Sequence, residues 1–185
     1  MGQKWRPMPK SLHDLPPFAG SHKINVIIET VRGSGSKFKY DPELGLFLLH
    51  RSLPKGHVFP YDYGFVPSTL GQDGDAVDAL VLIDTDAFPG CLVRARLIGV
   101  IEATQERGRN DCLIAVHEES ATWSDVSDIK ELPAGLIDQI EYFFDSYRDF
   151  QGKNFRAIGR KGPKQAEKLV QAGARKYQKS LSSNG

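Results

Sequence analysis

The sequence predicts a β-barrel or β-sandwich, with helices only near the end of the chain. Short apolar runs follow one another from residue 24 onward, separated by clusters of Gly, Pro, Asp and Ser that mark turns. No helical pattern intervenes, and strands this short and numerous are typical of barrels and sandwiches. The predicted strands cover residues 24–31, 46–50, 79–83, 92–101 and 112–116.

Two helices are predicted in the last third of the chain. Apolar residues repeat there at helical spacing, and Pro133 suits the first turn of the earlier helix. The second helix is expected over residues 164–179. The predicted inward residues are Leu136, Ile137, Ile140, Phe143, Phe144 and Tyr147 in the first helix, and Ala166, Leu169, Val170 and Ala174 in the second.

The length of 185 residues predicts one domain that can bury a substantial core. Residues 1–21 are Pro-rich and irregular, which indicates an N-terminal arm before a domain over residues 22–179. Residues 180–185 form a short polar tail.

Composition excludes several classes of protein. A net charge of +1 gives no long-range attraction to nucleic acid or to acidic membranes. No apolar run approaches the roughly 20 residues that span a bilayer, and the N-terminus lacks the apolar core of a signal peptide. Cys91 and Cys112 are the only cysteines, so neither a disulfide framework nor a zinc site is indicated. We therefore expect a cytoplasmic protein.

Asp73, Asp75 and Asp78 fall within six residues, immediately before the apolar run 79–83. Carboxylates this close repel one another, so they suit either a solvated turn or a cation site. Because a buried strand follows at once, the pattern favours a hard divalent cation such as Mg²⁺, bound through oxygen. An acidic hairpin turn remains the alternative. A calcium EF-hand is excluded, since Val77 occupies its third ligand position and Asp78 the place of its glycine.

The run Asp73-Gly-Asp-Ala-Val-Asp78 resembles the Asp-x-Asp-x-x-Asp signature of soluble family I inorganic pyrophosphatases. The resemblance continues in the same order over roughly residues 22–155. It implies a small closed β-barrel of the OB type with helices on its outside, an α+β fold, and the strand and helix pattern agrees. The further matching segments are Ile27-Ile-Glu29, Lys39-Tyr-Asp41, Arg51, Phe59-Pro-Tyr-Asp-Tyr-Gly64, Gly99-Val-Ile, Leu113-Ile-Ala-Val and Phe143-Phe-Asp-Ser-Tyr-Arg148.

The resemblance also implies roles for individual residues. Asp75 matches the acid that orients or deprotonates the attacking water. A cationic set would bind phosphate, with Arg148 in place of the usual lysine, and Tyr147 could instead belong to the core of its helix. The implied metal ligands are Asp73, Asp78, Glu29 and Asp41, and the implied phosphate-binding residues are Lys39, Arg51 and Arg148, with the hydroxyls of Tyr63 and Tyr147 as partners.

The sequence departs from the family pattern at several positions. Asp41 replaces a glutamate and Phe59 a tyrosine. Gln105 and Asn110 stand where the resemblance places two aspartates, and Cys112 stands where it places a lysine.

Acids lie one residue later, at Glu106 and Asp111, with Arg107 and Arg109 close by. Two accounts stay open: either this loop re-aims an acid and an arginine inward, or one metal subsite has degenerated. We expect Asp111 to approach the cavity of Asp73 and Asp78 and to replace the acid missing at Asn110.

The predicted function is Mg²⁺-dependent hydrolysis of inorganic pyrophosphate to two orthophosphates by metal-activated water. The alternative is a catalytically impaired relative that binds metal and phosphate. A nucleic-acid module of the OB type would need a basic groove with exposed aromatic platforms, and the near-zero net charge and the carboxylates argue against it. The resemblance further implies a homo-oligomer, since bacterial relatives of this length imply hexamers.

Overall fold

The computed structural model describes residues 11–105, 108–133, 135–149 and 155–183, without the side chains of residues 147–149 and 155. Single 3₁₀ turns lie at Leu12–Asp14 and Ile129–Glu131. The α-helices of the described part are α1 (Leu136–Asp149) and α2 (Pro163–Ser183). Its strands are β1 (Phe18–Gly20), β2 (Lys23–Thr30), β3 (Ser36–Asp41), β4 (Leu46–Ser52), β5 (Asp62–Val66), β6 (Val77–Leu82), β7 (Leu92–Gln105), β8 (Gly108–Arg109), β9 (Cys112–His117) and β10 (Phe155–Lys161).

The main sheet has eight strands, and β3 pairs separately with β4 as a hairpin. Neighbouring strands follow the order β1, β2, β5, β6, β9, β7 and β10, while β8 pairs with β7. The long strand β7 also pairs with β2, so it is bonded to strands from both parts of this order. Most pairings are antiparallel, and β6 with β9 is parallel. Strands β2, β5, β6 and β9 therefore lie side by side in the sheet.

Helices α1 and α2 cover two different faces of the sheet. Along β6, Leu80 and Leu82 belong to the apolar cluster that includes α1, whereas Ala79 and Val81 belong to the cluster that includes α2. Successive side chains of a strand point to opposite faces, so both faces of β6 are buried. This explains why the run 79–83 is continuously apolar rather than alternating.

All five predicted strands and both predicted helices are confirmed, with shifts at their ends. Pro133 lies before α1, where its carbonyl accepts the backbone N–H of Leu136. Helix α2 continues past residue 179 to Ser183, and it buries Gly173 rather than Ala174. The expected irregular arm contains β1, which pairs with β2. An α+β fold is confirmed, and its closure into an OB-type barrel stays a prediction. No helix in the described ranges is long and apolar enough to cross a bilayer.

Candidate active site

The acidic loop joins β5 to β6 and is closed at its base by Thr69. The Thr69 hydroxyl donates to the carbonyl of Val66 at 2.6 Å and accepts the backbone N–H of Val77 at 3.0 Å. Within the loop, Asp73 Oδ1 accepts the backbone N–H of Asp75 at 3.2 Å. Asp75 is therefore held in an exposed turn, while Asp78 is partly buried on β6.

Glu29 reaches the same region from β2 through an irregularity in the pairing with β5. Ile28 pairs with Gly64 and Thr30 with Tyr63, so Glu29 is the extra residue between them. Such a bulge re-aims a side chain. The close approach of the strands requires Gly64, because a Cβ there would lie 1.9 Å from the carbonyl oxygen of Ile27.

The Glu29 carboxylate is 5 % exposed and accepts the backbone N–H of Tyr40 at 2.7 Å. Burial raises its pKa to about 7, against the lowering effect of that hydrogen bond and of Lys37. A cation bound beside Glu29 would stabilise its charged form.

Strand β3 contributes cationic side chains to this region. Alternate residues of a strand share a face, and Lys37, Lys39 and Asp41 occupy alternate positions of β3. Lys37 Nζ lies 4.8 Å from the centre of the Tyr63 ring. Lys39 Nζ lies 2.9 Å from Asp75 Oδ2. Strand β3 therefore places ammonium groups opposite the acidic loop.

These elements surround one cleft of about 890 Å³. Six carboxylates and three cationic side chains line it, a formal excess of three negative charges. Two neutral amides, Gln105 and Asn110, line it as well. The charged residues are Glu29, Asp41, Glu43, Asp73, Asp75 and Asp78 on the acidic side and Lys37, Lys39 and Arg51 on the basic side.

The donors of the cleft fit a hard divalent cation in chemical type, since they are carboxylate and amide oxygens. The buried Glu29 carboxylate fits in the same way, because a cation would offset its burial. Over the described part of the chain, however, no three His, Cys, Asp or Glu residues stand in an arrangement that could hold a metal ion. The carboxylates share a cleft without converging on one point.

The structure brings together Glu29, Asp73, Asp75 and Asp78, although Glu29 is far from the others in sequence. Asp41 also lines the cleft, where its Oδ1 accepts the backbone N–H groups of Glu43 and Leu44 at 2.9 and 3.0 Å. One oxygen of Asp41 is therefore used by the turn between β3 and β4.

On the basic side, Arg51 lines the cleft and contacts the His50 ring. The side chains of Tyr147 and Arg148 lie outside the described residues, as do Glu106 and Arg107. The roles predicted for these four residues remain predictions.

The structure places Asp111 near Asp73 and Asp78, because all three line a groove beside helix α2. Asp111 does not line the main cleft, whereas Asn110 and Gln105 do. Its Oδ1 accepts the backbone N–H of Ala103 at 3.0 Å, and Arg109 binds both of its oxygens at 3.0 and 2.9 Å. Because its oxygens are already engaged, we expect little compensation by Asp111 for the missing acid.

Arg109 also binds Glu102 at 3.0 Å. The arginine therefore joins two acids of the β7–β9 region and faces a neighbouring groove of about 570 Å³ beside α2. It does not line the main cleft in place of the lysine that the resemblance expects.

Two further predicted positions lie behind the cleft rather than on it. Tyr63 is 2 % exposed and packs against Phe59, and its hydroxyl is hydrogen-bonded to Asp78. Burial, with the nearby Asp78 charge, raises the pKa of Tyr63 well above its usual value. The Tyr63 hydroxyl thus contacts Asp78, and the role predicted for it toward phosphate stays a prediction. Cys112 is 5 % exposed, and burial raises the pKa of its thiol well above the ordinary range, so the thiol is neutral.

Sequence reasoning missed Lys37 and Glu43, which both line the cleft. The alternation of Lys37, Lys39 and Asp41 was the available signal for Lys37, since residues two apart on a strand share a face. The sequence carries no comparable signal for Glu43, which lies in the turn after β3.

A sheet-rich fold with carboxylates facing ammonium and guanidinium groups in one cleft defines a class of protein suited to phosphate-bearing anions and divalent cations. Comparison with known proteins specifies the class further. The inorganic pyrophosphatase family model matches residues 26–178.

Related proteins and solved structures support the same family. The inorganic pyrophosphatase of Thermus thermophilus is 37 % identical over 157 residues, which covers 83 % of this chain and 90 % of that protein. Soluble inorganic pyrophosphatase 2 of Chlamydomonas reinhardtii is 36 % identical over 90 % of this chain and 87 % of its own length. The crystal structure of the Thermus thermophilus pyrophosphatase has a TM-score of 0.86 at 35 % identity, over 91 % of this chain and 99 % of that one. This chain belongs to the inorganic pyrophosphatase family.

Proposed function

We propose that this protein hydrolyses inorganic pyrophosphate to two orthophosphates with the help of Mg²⁺. The observation that carries the proposal is the single cleft in which Glu29, Asp73, Asp75 and Asp78 face Lys37 and the other cations. Pyrophosphate is densely anionic, so a nucleophile reaches it only where positive charge neutralises its oxygens. Membership of the inorganic pyrophosphatase family identifies the phosphoanhydride as the bond that is broken.

Asp73, Asp78 and Glu29 are the residues that would hold divalent cations. Asp73 and Asp78 lie on and beside the acidic loop, and the Glu29 carboxylate is buried at the inner wall of the cleft. Bound divalent cations would supply Lewis-acid polarisation of phosphate oxygens and a lowered pKa for water. The Tyr63 hydroxyl hydrogen-bonds to Asp78 and keeps that carboxylate oriented toward the cleft.

Asp75 is the residue that would take the proton of the attacking water. It lies in the exposed turn, and Asp73 Oδ1 fixes its backbone at 3.2 Å. A general base needs a positioned carboxylate within hydrogen-bond reach of the water, and the hydrogen bond from the Asp75 backbone to Asp73 supports this role. This role does not require Asp75 to bind a metal ion directly.

The cationic side chains would bind the phosphate groups. Arg51 offers a planar guanidinium suited to bidentate contact with phosphate, and Lys37 offers a point charge beside Glu29 and Asp78. Both lie on the β3–β4 hairpin, opposite the acidic loop. Substrate would therefore lie between the hairpin and the loop, with the water on the side of Asp75.

Gln105 and Asn110 line the cleft as neutral amides. Amide carbonyls coordinate hard cations without adding negative charge. We therefore propose a working enzyme with weaker divalent-cation binding than a site with acids at these two positions would have.

The test is phosphate release from inorganic pyrophosphate by the full-length chain, with Mg²⁺ and with excess EDTA. We expect release that rises with Mg²⁺ and is abolished by EDTA. Asp73→Asn provides the site control, and the exposed Asp125→Asn provides the matched surface control. Release no faster than the blank at high Mg²⁺ would assign the chain to the catalytically impaired relatives instead.

Two further properties are proposed from the resemblance to this family and from the cysteines. We propose a homo-oligomer, with the hexamer as the expected form. We also propose a reducing cytoplasmic setting, which is supported by the free thiols of Cys91 and Cys112.

A further inference from the structure

The N-terminal arm forms part of the wall of the main cleft. His13, in the single turn Leu12–Asp14, lines the cleft together with Tyr177 of helix α2. The Tyr177 hydroxyl donates to Asp14 Oδ1 at 3.1 Å, so segments from both ends of the chain meet at this wall. A segment that the sequence places before the domain therefore contributes to the proposed active site.

Several hydrogen bonds hold the turn in place. The carbonyl of His13 accepts the backbone N–H of Ser68 at 2.7 Å and the Ser68 hydroxyl at 2.9 Å. Ser68 has a φ of 50°, which is uncommon for a residue other than glycine, and these two bonds stabilise it. The backbone N–H of Leu12 donates to the Tyr40 hydroxyl at 3.3 Å. The arm is therefore fixed both to β3 and to the start of the acidic loop.

Aromatic contacts position the His13 ring. The ring stacks on Phe65, with 4.5 Å between the ring centres and 19° between the planes, and its centre lies 5.6 Å from that of Tyr40. Ring pairs at these separations attract one another. Neither nitrogen of the His13 ring has a hydrogen-bond partner among the described residues. The ring is therefore held in place by its faces, and its nitrogens are available to a ligand.

The charges around His13 are those of the proposed active site. Burial lowers the pKa of His13 below 6.5, and the charges of Asp14, Lys39 and Asp75 act on the same ring. Lys39 and Asp75 form the ion pair in the cleft, so the ring lies close to that pair. A neutral imidazole carries one N–H donor, and phosphate oxygens are acceptors. The imidazole therefore suits the anion that the cleft is proposed to bind.

We propose that His13 is a substrate-binding residue, whose ring N–H donates a hydrogen bond to a phosphate oxygen of inorganic pyrophosphate. The inference deepens the proposed function and rests on it for the identity of the substrate. The family model begins at residue 26, so His13 lies outside the residues that it matches. The N-terminal arm thereby gains a role in the chemistry of the cleft.

The experiment compares two substitutions of His13 in the full-length chain. His13→Phe keeps an aromatic ring against Phe65 but has no N–H, whereas His13→Gln keeps an N–H donor and loses the ring. Loss of one hydrogen bond to a charged acceptor should raise the KM for pyrophosphate about tenfold in His13→Phe and leave kcat nearly unchanged. His13→Gln should recover part of that loss.

A binding measurement complements the kinetics. Isothermal titration calorimetry at fixed Mg²⁺ would follow binding of methylenediphosphonate, an analogue of pyrophosphate that cannot be hydrolysed. We expect about tenfold weaker binding by His13→Phe than by the parent, and an intermediate affinity for His13→Gln. His22→Gln is the matched control, because His22 is exposed and does not line the cleft. Circular dichroism and thermal unfolding would verify that each variant is folded.

Two results would overturn the proposal. The first is a His13→Phe variant with the KM and the methylenediphosphonate affinity of the parent. The second is a larger loss in His13→Gln than in His13→Phe, because packing against Phe65 would then be the only function of the ring.

The two proposals fail separately. Weaker methylenediphosphonate binding by His13→Phe, together with no hydrolysis by the parent, would support the role of His13 and reject the proposed function. Mg²⁺-dependent hydrolysis by the parent, together with a KM and an analogue affinity that are independent of residue 13, would do the reverse.

Discussion

The backbone N–H of Leu70 donates to the carbonyl of Gly173 at 3.1 Å, which ties the start of the acidic loop to helix α2. Lys176 Nζ donates to the carbonyl of Gly71 one turn further along the helix. Gly71 in turn donates its backbone N–H to the carbonyl of Asp75 at 2.7 Å. The position of the proposed metal-binding loop therefore depends on helix α2, whose Tyr177 also lines the main cleft.

Gly173→Ala is expected to destabilise the protein, although alanine is normally the better helix former. A Cβ at this position would lie 3.0 Å from Val77 Cγ2 and 3.2 Å from Thr69 Cβ, and both of these residues are buried. We expect a net loss of about 1 kcal/mol of unfolding free energy, since overpacking exceeds the gain in helix propensity. Urea denaturation would measure it, with the exposed Gln178→Ala as control. A Gly173→Ala variant more stable than the parent would show that the acidic loop moves easily to accommodate the added Cβ.

Asp75→Asn and Asp78→Asn are expected to impair hydrolysis in different ways. If Asp75 takes the proton from water, the Asp75→Asn variant should have turnover lowered by ~10²-fold or more and a largely intact affinity for divalent cations. Asp78→Asn should weaken Mg²⁺ binding, so excess Mg²⁺ should restore part of its activity. Phosphate release measured across a Mg²⁺ titration would separate the two. Equal losses that Mg²⁺ rescues equally would contradict this division of roles.

Asp111→Ala is expected to affect stability rather than metal binding. The variant leaves Arg109 and the backbone N–H of Ala103 without the carboxylate that they share, and the Asp111 side chain is 8 % exposed. We expect a loss of about 1–3 kcal/mol of unfolding free energy. The Mg²⁺ concentration for half-maximal hydrolysis should match that of the parent and of the exposed control Asp125→Ala. A marked rise in that concentration would show that Asp111 contributes to metal binding.

Asp62→Asn is expected to change how stability depends on pH. Asp62 is 1 % exposed, and its Oδ2 has no hydrogen-bond partner among the described residues. Burial raises its pKa in the folded state above the value of 3.8 that is ordinary for aspartate. Because the folded state then holds the proton more tightly than the unfolded chain, this group lowers stability as pH rises through that folded pKa.

The amide cannot ionise, so the Tm of Asp62→Asn relative to the parent should increase between about pH 4 and about pH 8. Differential scanning calorimetry at the two pH values would measure the change. Asp86→Asn is the control, because Asp86 is an exposed carboxylate that pairs with Arg32, and the backbone N–H of Arg32 donates to Asp62. A Tm difference that stays constant or falls with pH would contradict the prediction.

Hydrophobic pattern was sufficient to predict strands β2, β4, β6, β7 and β9 and both helices. Strand β6 and the inner face of α1 carry apolar runs whose period follows directly from their geometry. Strands β3 and β5 were missed, because β3 mixes lysines with aromatic residues and β5 begins with Asp62 and contains Gly64. Their pairing is decided by partners far away in the chain.

The sequence by itself determined the family of this protein and the carboxylates of its acidic loop, since the spacing of Asp73, Asp75 and Asp78 is local information. Tertiary structure decided which other charges meet them. The bulge at Glu29 turns one acid into the cleft, whereas Arg109 engages both carboxylate oxygens of Asp111. The pairing of Lys39 with Asp75 likewise depends on how the β3–β4 hairpin packs against the loop. Side-chain direction and charge pairing arise from contacts between distant segments, and a single sequence does not specify those contacts residue by residue.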